Sequence, residues 1–144
     1  MQLRLRKQLG IQGDEEWEVI WNRIEAVQKF NDASGRLKQI SRSFQWYAFR
    51  KRRAGRKVPK AWELFEKKLS GQGAEVAEVL AATKALAEML AEKAVLHEEI
   101  TEMLAAYHKA KDKFEEKRRK TQSELREILN ARQEAALVLM GILD

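Results

Sequence analysis

From Ala74 to Met140 the chain contains neither Gly nor Pro. Those 67 residues are dominated by Ala, Leu, Glu, Lys and Arg, which lose little side-chain freedom in a helix. A run of this kind can fold only as helix, and everything upstream must supply surfaces for it to pack against. The chain has 144 residues with one Pro and 35% charged residues. These figures point to an all-α protein and away from disorder or a β-sandwich.

The spacing of apolar residues gives the expected elements. Residues 1–13 read as an extended or frayed arm. Trp17, Ile20, Trp21, Ile24 and Val27 recur at helical spacing and form one face. Asn31-Asp32-Ala33-Ser34-Gly35 is a turn signal. A second helix is expected over 35–53 on the stripe Leu37, Ile40, Phe44 and Tyr47. Pro59 suits a first helical position and opens a short helix to Leu69, presenting Trp62, Phe65 and Leu69. Ser70-Gly71-Gln72-Gly73 ends it.

The spine follows. Val76, Val79, Leu80, Thr83, Leu86, Met89 and Leu90 keep helical spacing. Leu96, Ile100, Met103, Tyr107, Ala110, Phe114, Thr121, Leu125 and Ile128 fit a seven-residue repeat, with Lys117 in one apolar slot. That period predicts coiled-coil-like packing against another long helix. Unbroken from Glu75 to Leu129, the helix would be roughly 80 Å long at 1.5 Å per residue, so a break is expected around Glu92–His97. Asn130 can cap the next helix, with Gln133 reaching back to the cap N–H. The final helix, Ala131 to Leu143, is apolar nearly all round and is expected to be buried, either in its own domain or in a partner. The expected architecture is one helical domain over 1–144: the arm 1–13, aromatic and basic helices over 14–69, and the spine with its capped final helix over 74–144. In shape it reads as elongated antiparallel hairpins or a bundle.

The sequence points away from most chemistry. There is no cysteine, hence no disulfide, thiolate metal site or cysteine nucleophile. His97 and His108 are the only histidines; within one helix they lie about 16 Å apart along the axis and cannot share an ion. The serines sit in no nucleophile motif, and Gly71-Gln72-Gly73 is a hinge, not a phosphate loop. No enzyme activity, metal or cofactor is expected. No run reaches the roughly 20 apolar residues of a membrane span, and the basic start is not followed by the apolar run of a signal peptide.

Charge is the informative feature. Between Asp32 and Glu63 there are ten basic residues and no acidic one, whereas the remainder carries 18 basic and 22 acidic residues. The net charge of +6 is therefore the property of one segment. Its centre interleaves aromatic and basic side chains: Trp46 and Phe49, then Arg50, Lys51, Arg52, Arg53, Arg56 and Lys57. Such a segment attracts polyanions over a Debye length, and aromatic rings stack on bases or contact apolar side chains. Arg50, Lys51, Arg52, Arg53, Arg56 and Lys57 are the expected attracting charges. Trp46, Phe49 and Trp62 are the expected apolar contacts. The same residues could instead be a core-facing aromatic stripe with solvated charge behind it.

Leu129-Asn130-Ala131-Arg132-Gln133 resembles the Leu-Thr-x-x-Gln motif of the Spy/CpxP family of periplasmic chaperones and stress sensors, with Asn130 where the family has Thr. Leu9-Gly10-Ile11-Gln12-Gly13-Asp14-Glu15 looks like a degraded first copy, with Gln12 for the Thr and Glu15 for the Gln. The resemblance implies a small, cradle-shaped helical homodimer in the periplasm, working without cofactor or ATP on unfolded or partner polypeptides. Outside that resemblance a cytoplasmic protein is expected. A nucleic-acid-binding helical protein using the 36–60 segment is the alternative, and a structural subunit docking through its apolar final helix is a third.

Overall fold

A computed structural model describes residues 1–54, 61–92 and 96–144, and their side chains apart from those of residues 49–54, 61, 65 and 70. The described residues form helices and turns without strands: α1 (Gln2–Gln8), α2 (Asp14–Ala54), α3 (Ala61–Ser70), α4 (Ala74–Ala91), α5 (His97–Arg126) and α6 (Ala131–Leu139). They divide into two compact units. One comprises Met1–Asp32 and Glu116–Asp144, the other Ala33–Glu115.

In the first unit, α1, the start of α2, the end of α5 and α6 close around Leu5, Leu9, Ile11, Ile20, Ile24, Val27, Leu125, Leu137, Ile142 and Leu143. Trp17 and Trp21 flank this core, their ring centroids 5.5 Å apart. The N-terminal residues are thus helix, not an arm. Leu5 and Leu9, one turn apart, are both buried. Gly10, at φ +68°, reverses the chain at no steric cost. Its N–H donates to the Lys7 carbonyl and that of Ile11 to the Arg6 carbonyl, each at 3.2 Å, the paired bonds of a Schellman stop. Gly141, at φ +71°, ends α6 the same way, with Gly141 N–H on Val138 O (2.9 Å) and Ile142 N–H on Leu137 O (3.0 Å).

The capped start of α6 is as the sequence predicts. Gln133 N–H donates to Asn130 Oδ1 at 2.9 Å, and Asn130 N–H to Gln133 Oε1 at 3.0 Å. Gln133 is itself buried, and its Nε2 reaches the Leu9 carbonyl at 3.4 Å. Replacing Asn130 by Ala is expected to cost about 1 kcal/mol and to lower Tm by about 2–4 °C, measured by thermal circular dichroism. An unchanged Tm would show that the box contributes nothing to the unit.

The start of α2 differs from the proposed first copy of the motif. The helix begins at Asp14, and Gly13, not Gln12, supplies the carbonyl that receives Trp17 N–H (3.0 Å). Arg6 holds this corner: its Nε donates to Ile11 O (3.1 Å), and its Nη2 donates to Gln12 O and pairs with Asp14 (2.7 Å).

No turn interrupts α2 at Asn31–Gly35; it is a single helix of 41 residues. Asn31 falls on the buried stripe, four residues after Val27, and a polar group there must find partners. Its Nδ2 donates to Ile142 O at 2.9 Å, and its Oδ1 accepts from Arg118 Nε at 3.1 Å. Arg118 continues to the Asp144 carboxylate (2.9 Å), which Gln122 Nε2 also contacts (3.2 Å). A residue with turn propensity is thus committed to a tertiary network. Gly35 costs the helix about 1 kcal/mol relative to Ala, an amount that packing on either side outweighs. Within this unit α2 and α5 run antiparallel, with Arg23 paired to Glu124 at 2.6 Å.

In the second unit, α2 buries Leu37, Ile40, Phe44, Tyr47 and Ala48, the expected stripe. The Ser70–Gly73 turn joins α3 and α4 into a hairpin, and Lys113 of α5 pairs with Glu78 of α4 at 3.1 Å. The expected break is present: α4 ends at Ala91 and Glu92 is extended at φ −82°, ψ 138°, before α5 begins at His97. The seven-residue repeat of α5 is buried at Ala110, Phe114 and Leu125, but its ends, Leu96 and Ile128, are exposed. Gly55–Lys60, including the expected helix start at Pro59, lie outside the described residues.

Candidate binding surface

The basic–aromatic segment straddles the limit of what is described. Trp46, on α2, is 48% exposed. Residues 49–54 continue the helix, but the side chains of Phe49, Arg50, Lys51, Arg52 and Arg53, and all of Arg56 and Lys57, lie outside the described residues.

Trp62 is not a surface contact. It is buried to 3% exposure, with its ring edge-on to Phe44 (centroids 4.2 Å apart) and Tyr47 (4.7 Å). Its indole N–H donates to Ser43 Oγ at 2.9 Å. The ring is the wedge between α2 and α3, and of the apolar residues expected along α3 both Trp62 and Leu69 are buried. Asn130 and Gln133 form the capping box and serve the fold of the first unit.

Upstream of Trp46, α2 presents a surface of one sign. Arg36, Lys38 and Arg42 are all exposed, with no carboxylate on the helix between Asp32 and its end. Beside them the second unit has a groove with two lobes between α2, α4 and α5. One lobe, about 230 Å³, is lined by Phe44, Gln45, Ala48, Leu86, Ala87 and Leu90. The other, about 310 Å³, is lined chiefly by Leu37, Lys38, Arg42, Lys111, Phe114 and Glu115. Ser41 and Tyr107 line both. Lys111 Nζ stands 5.9 Å from the centre of the Tyr107 ring, a cation over an aromatic face. Sequence reasoning missed this groove. Its walls come from three helices, and the spacing along any one of them does not mark it.

A wider depression of about 690 Å³ lies along α3 and α4. Lys84 crosses it to Glu66 at 2.7 Å, and that hydrogen bond holds the ammonium above its ordinary pKa. The pair is satisfied and the walls are mostly Ala and Glu, so the depression offers no reactive group. His97 and His108 are exposed, and no three metal-ligating side chains converge among the described residues. Among the same residues no helix is long and apolar enough to cross a membrane. Set against family models, curated proteins and solved structures, the chain matches none.

Proposed function

We propose that this chain is an ATP-independent, Spy/CpxP-like binding protein that holds unfolded or partner polypeptides on a basic, aromatic-containing surface. One observation carries the reading: α2 of the second unit exposes Arg36, Lys38 and Arg42 with half-exposed Trp46, and leads directly into the Arg50–Arg53 run. Long-range attraction speeds encounter with acidic clients. Apolar contacts then retain their exposed segments weakly, which suits reversible holding without nucleotide. Asn130 and Gln133, on which the resemblance rests, form the capping box of α6. On this reading the protein is a periplasmic homodimer and needs no cofactor.

The test is light scattering from a denatured, aggregation-prone client diluted into the protein without nucleotide, at low and at physiological salt. Suppression at both is expected, weakened several-fold by the pair Arg52→Glu/Arg53→Glu, which acts through the Coulomb attraction that steers capture. Unchanged scattering at several-fold excess of protein would reject the reading. A mobility shift with nucleic acid that disappears steeply as salt rises, in place of suppression, would favour the nucleic-acid alternative.

A further inference from the structure

We infer that the two-lobed groove of the second unit is a docking site for an amphipathic helical segment of a polypeptide, one that presents a large apolar side chain and a carboxylate about two turns apart on one face. The inference rests on the polypeptide-holding reading and gives its ligand a definite chemistry.

The lobes differ in kind. The first has an apolar floor of Phe44, Ala48, Leu86 and Leu90, and Leu90 is still 37% exposed. Its volume of about 230 Å³ suits one or two large side chains, not a folded surface. The second lobe carries three cations, Lys38, Arg42 and Lys111, against the single carboxylate of Glu115. Lys38 and Arg42 make no ion pair among the described residues, whereas Lys84, Lys113, Arg23, Arg118 and Arg126 each do. Unpaired cations beside an open apolar slot call for a ligand bearing both an anion and an apolar group.

The spacing selects the ligand's form. Along α2 the lining of the cationic lobe centres near residue 38 and that of the apolar lobe near residue 44, about 9 Å apart at 1.5 Å per residue. In a bound helix, residues i and i+7 share a face and stand about 10.5 Å apart, and the reach of Lys and Arg takes up the difference. A groove between packed helices is also the usual seat for an amphipathic helix. The lobes open side by side along the surface, which suits a peptide better than the enclosed pocket an acyl chain requires.

The experiment uses the full chain and three dye-labelled, Ala-rich helical peptides, followed by fluorescence anisotropy. The first carries Phe and Glu seven residues apart; the second has Lys in place of Glu; the third has Ala in place of Phe. The first is expected to bind and the other two to bind about tenfold more weakly or worse, since each loses one half of the complementarity. In the protein, Lys38→Glu/Arg42→Glu is expected to abolish the preference for Glu over Lys. Gln45→Trp, an exposed position lining the apolar lobe, fills the slot and should weaken the first peptide about tenfold. Circular dichroism would verify that both variants keep their helix content.

Equal binding of the three peptides, or wild-type affinity in both variants, would overturn the assignment. Binding of a dye-labelled decanoate with none of the peptides bound would overturn it too, in favour of an acyl anion. Client holding that survives in both groove variants would remove the groove and leave the proposed function standing. Peptide discrimination without any client holding would do the reverse.

Discussion

Replacing Trp62 by Ala is expected to destabilise the protein by about 3–5 kcal/mol, the range for removing a buried aromatic side chain. The ring fills the space between α2 and α3, edge-on to both Phe44 and Tyr47. Its loss leaves a cavity and removes the indole donor from Ser43 Oγ. Set against a total stability of about 5–15 kcal/mol, that loss lowers the urea midpoint substantially and loosens α3 first. Trp62→Phe separates the two contributions. It keeps most of the edge contacts and forfeits the hydrogen bond, worth about 1 kcal/mol. The same pair decides between the two roles that the sequence allows this residue. A buried wedge gives a large loss of stability for Ala and a small one for Phe, and client binding by the still-folded Phe variant is preserved. A surface contact would give the opposite: stability unchanged and binding lost in the Ala variant.

Trp62 also shows where sequence reading stops. Rules that act within a few residues were legible. The Asn130–Gln133 box needs only the three-residue offset between two side chains, and the structure closes it as expected. The two stripes of α2 were legible for the same reason, since Ile20, Ile24 and Val27, and then Leu37, Ile40, Phe44 and Tyr47, each keep helical spacing, although they were expected on two helices. The break between α4 and α5 followed from length alone. What failed was whatever a distant partner decides. Asn31 has a turn former's side chain, yet Arg118 and the Ile142 carbonyl, each more than eighty residues away in sequence, hold it inside a continuous helix. Residues 1–13 look like an arm until Leu5, Leu9 and Ile11 are seen to enter a core that Leu125, Leu137, Ile142 and Leu143, from the other end of the chain, help to build. The candidate surface followed the same division. The charge of the 36–60 segment is a local fact and was legible. That Trp62 belongs to the core, and that Lys38 and Arg42 stand beside Lys111, depend on packing among helices.

Leu137→Ala is expected to cost about 2–5 kcal/mol, while Leu139→Ala, two residues on, should stay within about 0.5 kcal/mol. Composition gives no reason for that contrast, since α6 was expected to be buried all round. The structure corrects this. Leu137 has no exposed surface and sits in the core with Leu125 and Ile142, whereas Leu139 is 89% exposed, and Val138 and Met140 are about 40% exposed. Leu137 also carries the chain reversal after α6, its carbonyl receiving both Ile142 N–H (3.0 Å) and Leu143 N–H (3.3 Å). A cavity beneath it therefore loosens the seating of Ile142 and Leu143 as well. Urea titration should show the midpoint falling for Leu137→Ala with an unchanged slope, the mark of lost stability in an otherwise similar transition. The neighbouring variant is the sharper test. If Leu139→Ala proves as costly as Leu137→Ala, its side chain is covered in solution by another molecule. Its cost must then rise with protein concentration, because association adds to stability by mass action. If the cost is small at every concentration, the outer face of α6 is bare, and its apolar character contributes helix propensity and nothing to burial.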